Sequence, residues 1–460
     1  MKIRFPVLFD NIRDKLFTLL RKITPYQWLV FGYMFITLFG AWVLSLPVSS
    51  VRGTAQPFLD SLFISTSGIS TSGLTVVDIG SYYSLFGQVT LLIIFQIGGV
   101  GYMSFIVLFM YLLGVRIPLP ARIVAKESLA GSSMYFFKKF FLLVLGYTFF
   151  FEGVGACILA LYWIKDYSFL RSVYLGIFHS ISTFCTAGFS VFPDSLMKYR
   201  SSSLVNFTVI IISLFGGLGF FVLRDLTICL VNKIKKQFPA RLSLHSRIVL
   251  VVTVSVILIS TIVIFFSEKW PQTMSLYQKW LTSIFQTVSA STTDGFNTID
   301  IGKMSSAGLT ILMFLMFVGA SPGSTGGGIK TTTLAILVIL FWTKIRDRKN
   351  NVFKREIPDK SVTNAVIVFI SFILIIFVDI IILSITENAT YTQSLFEICS
   401  ALGNTGLSTG ITFNLSKIGK IVLIITMFIG RVGPLSIAYT LISKPKNHDY
   451  SYPKEDIFVG

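Results

Sequence analysis

Hydrophobic positions in this chain come in long runs, and the polar positions between them follow two patterns. Several runs reach the roughly 20 residues that cross the apolar core of a bilayer as one helix. The first is 26–46, closed by Pro47. The next apolar stretch, 57–67 (PFLDSLFISTS), has the length of half a membrane helix and opens on Pro57, which suits a first helical turn. A polar loop centred on one glycine follows, and then a second long run, 85–113. The unit is a spanning helix, a short pore helix, a glycine loop and a closing helix.

The unit recurs. Its second copy is predicted at 137–162, 172–183 and 204–231, its third at 248–266, 277–289 and 307–342, and its fourth at 362–385, 392–401 and 418–442. The expected fold is an all-α polytopic membrane protein with four helix–pore-loop–helix repeats. Eight spanning helices would then surround one pore with pseudo-four-fold symmetry. The chain divides into a basic N-terminal segment (1–25), repeat 1 (26–113), linker and repeat 2 (114–231), linker and repeat 3 (232–344), linker and repeat 4 (345–442), and a C-terminal tail (443–460).

The first polar pattern is the glycine loop. The four copies read Ser70-Thr-Ser-Gly-Leu-Thr75, Phe184-Cys-Thr-Ala-Gly-Phe189, Thr293-Asp-Gly-Phe-Asn-Thr298 and Gly403-Asn-Thr-Gly-Leu-Ser408. Their central glycines are about 115, 107 and 111 residues apart, a long-period internal repeat. Lipid satisfies no backbone group, so a polar loop at membrane depth must be buried in protein or line water. Four such loops on one axis would present rings of carbonyls, the device that replaces the hydration shell of an alkali cation. The candidate filter residues are Thr71, Ser72 and Gly73; Thr186, Ala187 and Gly188; Thr293, Asp294 and Gly295; and Asn404, Thr405 and Gly406. Each pore helix points its partly negative C-terminal end at the loop, which favours a cation. Few carboxylates are near, so an alkali ion is favoured over a divalent one. Asp294 is the exception. Three roles are open to it: raising the local cation concentration, binding Na⁺, or forming a salt bridge behind the filter.

The second pattern interrupts the third closing helix, with the sequence Gly319-Ala-Ser-Pro-Gly-Ser-Thr-Gly-Gly-Gly-Ile-Lys330. Proline and a run of glycines break a helix interior. The sharp reading is a gate beneath the filter, formed by Gly319, Pro322, Gly323, Ser324, Thr325, Gly326, Gly327, Gly328 and Lys330; a mere kink is the alternative. The glycine-to-lysine spacing is wrong for a phosphate-binding loop. Lys330 is expected to snorkel toward the cytoplasmic side. Arg431 lies well inside the fourth closing run, where an arginine costs about 2.5–3.5 kcal/mol on insertion scales. It should therefore face inward onto partners, either carbonyls of the broken loop or a carboxylate such as Glu152 or Asp379. Glu152, Asp379 and Glu397 are expected to brace the structure.

Composition supports the membrane reading. Of 460 residues, 53% are hydrophobic and 13% charged, against about 25% charged in a soluble domain. The net charge of +18 does not point to nucleic acid. Lysine and arginine sit in a few segments between the copies (Arg116, Arg122 and Lys126; Lys233, Lys235 and Arg241; Lys344, Arg346 and Lys354), as the positive-inside rule places them on the cytoplasmic side. Both termini would share that side. The basic first 25 residues suit a short amphipathic helix on the membrane surface, with no cleaved signal peptide. Cys157, Cys185, Cys229 and Cys399 are expected as small buried side chains, their spacing fitting neither disulfides nor zinc. His179, with Ser180 and Ser182, is the one nucleophile–base candidate inside the membrane. It belongs to no further constellation, so an enzyme is not expected.

The loops TSGL, TAGF, DGFNT and NTGLS, the broken segment GSTGGGIK and the motif GRVGPLS resemble the Trk/Ktr/HKT superfamily of potassium transporters, from about residue 26 to the end. Within it the chain is most similar to the pore subunit of the bacterial Ktr type. The resemblance implies potassium uptake across the bacterial inner membrane, with K⁺ as substrate, often Na⁺ as coupling or activating ion, and no covalent cofactor. It also implies a homodimer in the lipid bilayer, gated by a cytosolic ring of nucleotide-binding, KtrA-like regulatory subunits. The family's filter glycines fall on Gly73, Gly188, Gly295 and Gly406, its gating loop on 319–330, and its facing arginine on Arg431. Glycine rather than serine at position 73 points to K⁺. Asp294 stands where alanine is expected, which keeps a sodium-selective or poorly selective transporter as the alternative.

Overall fold

The computed structural model describes residues 25–101, 134–236, 241–347 and 349–441. The expected N-terminal surface helix, the far end of the first closing run, the basic residues Arg116, Arg122 and Lys126, and the C-terminal tail lie outside the described residues.

The molecule is built of helices. Four long helices begin the copies: α1 (Pro25–Ser45), α4 (Met134–Trp163), α8 (Leu244–Ser267) and α12 (Asp359–Thr386). Each is followed by a pore helix: α2 (Phe58–Ser70), α5 (Phe169–Phe184), α9 (Leu276–Ser291) and α13 (Tyr391–Gly403). The closing helices begin at Leu85, Ser203, Ser306 and Lys417, as α3 (Leu85–Val100), α6 (Ser203–Leu218), α10 (Ser306–Val318) and α14 (Lys417–Val432).

Local chemistry sets these starts. Every closing helix opens on a serine whose hydroxyl accepts a first-turn N–H: Ser84, Ser202, Ser305 and Ser416. Such a cap contributes about 1 kcal/mol. Two pore helices open on full capping boxes, Ser275 with Gln278 and Thr390 with Gln393. In the third and fourth copies the long helix also holds the closing helix. Glu268 accepts from the Ser305 N–H and hydroxyl, and Glu387 does the same for Ser416. A carboxylate there also faces the positive end of the helix dipole.

The closing helices depart from expectation. Only the third was expected to break, yet all four stop at a glycine with positive φ: Gly101 (90°), Gly219 (90°), Gly319 (64°) and Gly433 (85°). After Gly219 the chain resumes as α7 (Phe220–Ile234), bent by 100° from α6. After the third break it resumes as α11 (Thr331–Ile345), and after the fourth as α15 (Pro434–Leu441). Among the described residues, three helices are long and apolar enough to cross a membrane unbroken: Phe141–Trp163 within α4, α8 and α12. A small β-hairpin, Asn351–Val352 paired with Arg355–Glu356, lies in the linker before the fourth copy, a departure from the expected all-α fold. Its turn residues Phe353 and Lys354 both take positive φ, as a tight hairpin requires.

Packing joins neighbouring copies. Tyr33, Phe63, Leu423 and Met427 share one buried cluster across the first and fourth. Trp163, Val209, Phe285 and Phe296 join the second and third. Leu312, Leu315, Phe396 and Leu407 join the third and fourth. The outer faces carry exposed Phe35, Phe39, Trp42, Phe149, Phe150, Ile259 and Phe377, which suits contact with lipid. Cys185 and Cys399 are buried as expected, but Cys157 is exposed, because α4 turns it outward.

Candidate ion-conducting site

Each pore helix ends in the same way. The residue after its last turn is left-handed: Thr71 (φ 56°), Thr186 (50°), Thr293 (59°) and Asn404 (51°). Its N–H returns to the carbonyl three residues back, and the next N–H returns five back. Ser72 bonds Ser67 O at 2.8 Å, Ala187 bonds Ser182 O at 2.8 Å, Asp294 bonds Ser289 O at 2.8 Å and Thr405 bonds Ser400 O at 2.9 Å. This is a Schellman-type stop, which normally uses glycine at the left-handed position. Here the chain keeps a side chain there, against the steric preference of L-residues.

The glycine two residues on is also left-handed in every copy: Gly73 (82°), Gly188 (67°), Gly295 (87°) and Gly406 (90°). These glycines close a ring. A Cβ built on Gly73 would lie 2.6 Å from Ala187 O, and one on Gly188 would lie 2.6 Å from Asp294 O. On Gly295 it would overlap Thr405 O, and on Gly406 it would overlap Ser72 O. Each missing side chain leaves room for the carbonyl before the next glycine. Glycine is needed for both the φ and the approach. The four expected triplets are thus brought together, with the backbone N–H groups of their first two residues tied back into the pore helices.

Asp294 is fully buried. The Ser213 hydroxyl is close to it, but that hydroxyl pairs with Thr292 Oγ1 at 2.5 Å, and neither carboxylate oxygen of Asp294 makes a hydrogen bond of good geometry. Among the described residues no salt bridge forms at Asp294, so nothing on the structure favours the salt-bridged role. The hydroxyls of Ser72 and Thr405, at the equivalent position, are also buried without a partner.

The segment 319–330 lies against the same four left-handed residues. Thr325 Oγ1 donates to Phe184 O at 3.0 Å and accepts from Thr186 Oγ1 at 3.2 Å. Thr71 Oγ1 donates to Thr325 O at 3.3 Å, and Gly327 N–H donates to Thr293 Oγ1 at 3.0 Å. A Cβ on Gly327 would lie 2.8 Å from Asn404 Cβ. The segment is anchored to the second copy by Ser321 N–H on Gly217 O, Thr325 N–H on Gly216 O, and Phe220 N–H on Gly323 O. Arg431 donates to Thr325 O at 2.5 Å and also to Gly98 O. Of the partners expected for it, the structure gives the loop carbonyl. Glu152 instead accepts from Gln96 Nε2 at 2.9 Å, and Asp379 from Thr426 Oγ1 at 2.6 Å.

Lys330 does not snorkel. Its ammonium turns back onto Gly326 O at 2.7 Å and Gly327 O at 3.2 Å. A broken helix frees carbonyls that lipid cannot satisfy, and the nearest donor takes them. His179 does not pair with Ser180 or Ser182 through their side chains. Its ring nitrogens meet Leu175 O and Ser190 Oγ, while Ser180 and Ser182 donate to Glu152 O and Phe189 O.

The sequence missed how closely the closing helices abut the loops. Gly98, Gly216 and Gly430 lie against the carbonyls of Ile69, Phe184 and Leu402, in the last turns of the pore helices. Each precedes a helix-ending glycine by three positions, so a recurring Gly-x-x-Gly in the apolar runs was the available signal.

Known proteins bear on this arrangement. The family model TrkH, described as cation transport protein, matches residues 35–450. Ktr system potassium uptake protein B of Vibrio alginolyticus is 34% identical over 94% of both chains. The protein of the same description from Bacillus subtilis is 34% identical over 97% of this chain and 99% of its own length. The potassium/sodium uptake protein NtpJ of Enterococcus hirae is 33% identical over 96% of this chain and 98% of its own. The crystal structure of the potassium transporter TrkH from Vibrio parahaemolyticus shares the fold, with a TM-score of 0.66 at 21% identity, over 89% of this chain and 84% of that one.

Proposed function

The chain belongs to the TrkH family of cation transport proteins, and from that membership we propose that it takes up potassium ions through a filter formed by its four glycine loops. The observation that carries the proposal is the closed ring in which each glycine accommodates the carbonyl preceding the next. Four carbonyls around one axis offer neutral oxygen ligands suited to a weakly hydrated monovalent cation. The names of the relatives from Vibrio alginolyticus and Bacillus subtilis support potassium as the ion.

The segment 319–330 is the gate in this reading. It touches all four left-handed residues at the base of the loops, and Arg431 and Lys330 fix its carbonyls. The word "system" in the relatives' names supports a further regulatory component, here a cytosolic nucleotide-binding ring acting on a homodimer. The protein would lie in the bacterial inner membrane with both termini in the cytoplasm. A second reading, a sodium-using or poorly selective transporter, is favoured by the buried carboxylate of Asp294 beside the ring and by the potassium/sodium name of the Enterococcus relative.

The test is growth and ⁸⁶Rb⁺ uptake at low external K⁺ in bacteria lacking their own potassium uptake systems, with a matching regulatory subunit supplied. Rescue is expected. A membrane-inserted protein that carries Na⁺ but fails to rescue would replace the potassium reading with the second.

A further inference from the structure

The residue nine positions before each ring glycine occupies the same place in its pore helix: Ile64, His179, Gln286 and Glu397. All four are fully buried. Three of them reach the strand that leaves the glycine. His179 Nε2 meets Ser190 Oγ at 3.0 Å, and Gln286 Nε2 donates to Thr298 Oγ1 at 3.2 Å. Glu397 makes the densest set. Its Oε1 accepts from Ser408 Oγ at 2.7 Å, Thr409 N–H at 2.8 Å and Thr409 Oγ1 at 3.1 Å, and its Oε2 accepts from Thr412 Oγ1 at 2.7 Å. Ile64 offers its loop no polar atom.

A second layer follows the same order. Six positions before each glycine stands a serine. Ser182 and Ser289 donate to Phe189 O and Phe296 O at 2.8 and 2.6 Å, and Ser400 Oγ accepts the Gly406 N–H at 3.0 Å. Ser67 Oγ is buried without a partner. Bracing thus rises from the first loop, which has neither side-chain tie, to the fourth, which is held by a carboxylate.

We propose that Glu397 is a positioning residue for ion selection, which by fixing residues 408–412 holds the Thr405 and Gly406 carbonyls at a set distance from the pore axis. The proposal rests on the filter reading above. A wall that cannot close in around a smaller ion leaves that ion under-coordinated, whereas a slack wall accommodates it. Four hydrogen bonds from the outgoing segment converge on Glu397, against one each at His179 and Gln286, so this wall is the most firmly tied of the four. Specificity is a difference between two affinities, and a brace acts on it without touching the ion.

The experiment measures K⁺-over-Na⁺ preference in ⁸⁶Rb⁺ uptake, by competition with each ion, in the full chain expressed with its regulatory subunit. Glu397→Ala is expected to lower the preference by about tenfold or more. Glu397→Gln keeps an acceptor for Ser408 and Thr409, and its amide can donate to Thr412, whose hydroxyl turns to accept; it should stay within about threefold of wild type. Equal losses in Gln and Ala would mean that charge acts rather than position, and would overturn the proposal. So would a wild-type preference in Glu397→Ala. If that variant does not reach the membrane, the triple change Ser408→Ala, Thr409→Val and Thr412→Val removes all three hydroxyl partners instead, and wild-type preference there overturns the proposal. Gly406→Ser separates the two readings. If it shifts preference while Glu397→Ala does not, positioning alone fails; if it too changes nothing, the filter reading has failed.

Discussion

A Gly295→Ala protein is expected to insert normally and to lose ⁸⁶Rb⁺ uptake by about tenfold or more, since the change strikes the ring that we propose replaces the ion's hydration. Insertion should be spared, because one methyl group leaves the apolar runs unchanged. Two physical effects combine at the site. Gly295 has φ of 87°, and a left-handed conformation costs an L-residue roughly 1–2 kcal/mol. The new Cβ would also overlap Thr405 O and stand 3.3 Å from Gly188 Cα. Either the Thr405 carbonyl or the third loop must move, and both belong to the ring. Gly53 supplies the control. Its φ is 65°, yet a Cβ there would meet nothing within 4 Å. Gly53→Ala carries the strain without the crowding and should keep wild-type uptake. Equal loss in both variants would assign the effect to backbone strain and remove Gly295 from the ion path.

The same contrast explains what could be read in the sequence. The pore helices were legible, each within three residues of its observed ends, because hydroxyl-rich turns and a lone glycine between apolar runs have few other homes in a membrane. The triplets were legible for the same reason. The breaks at Gly101, Gly219 and Gly433 were not, since glycines are common in membrane helices and carry no mark of their φ, and the recurring Gly-x-x-Gly that ends on them marks close packing as readily as a break. Only Pro322 and the glycine run made the third break visible. The direction of Lys330 was misread because a sequence shows the distance to the membrane surface but not the freed carbonyls of Gly326 and Gly327. The sequence shows that Arg431 needs a buried partner, but Thr325 O rather than Glu152 or Asp379 is within its reach only through the folding back of the broken segment. Of Ile64, His179, Gln286 and Glu397, a bracing role was expected for Glu397 alone; the graded series at these four positions shares a register but no residue type, so the sequence did not show it as a series.

Deleting Gly326–Gly328 is expected to raise uptake by about fivefold or more and to make it independent of the regulatory subunit, because closed and open states of such a loop need differ by only a few kcal/mol. The three glycines are the part of the segment that meets the third and fourth loops. Gly327 N–H bonds Thr293 Oγ1, a Cβ on Gly326 would lie 2.5 Å from that same oxygen, and Gly327 abuts Asn404. They also supply both carbonyls that hold the Lys330 ammonium. Without them the remaining segment is too short to keep every contact beneath the ring. The attachment through Thr325 to Phe184 O and Thr186 would survive only by pulling α11 inward. Arg431→Gln probes the same closure without shortening the chain. It removes the clamp on Thr325 O and Gly98 O and should raise subunit-independent uptake in the same direction, by less. The two changes act on one loop, so their effects should not add. Uptake that remains low and subunit-dependent in both proteins, with each confirmed in the membrane, would leave the segment as a structural break and move the gate elsewhere on the path. A rise in the deletion alone would keep the gate and reduce Arg431 to a support for the fourth closing helix.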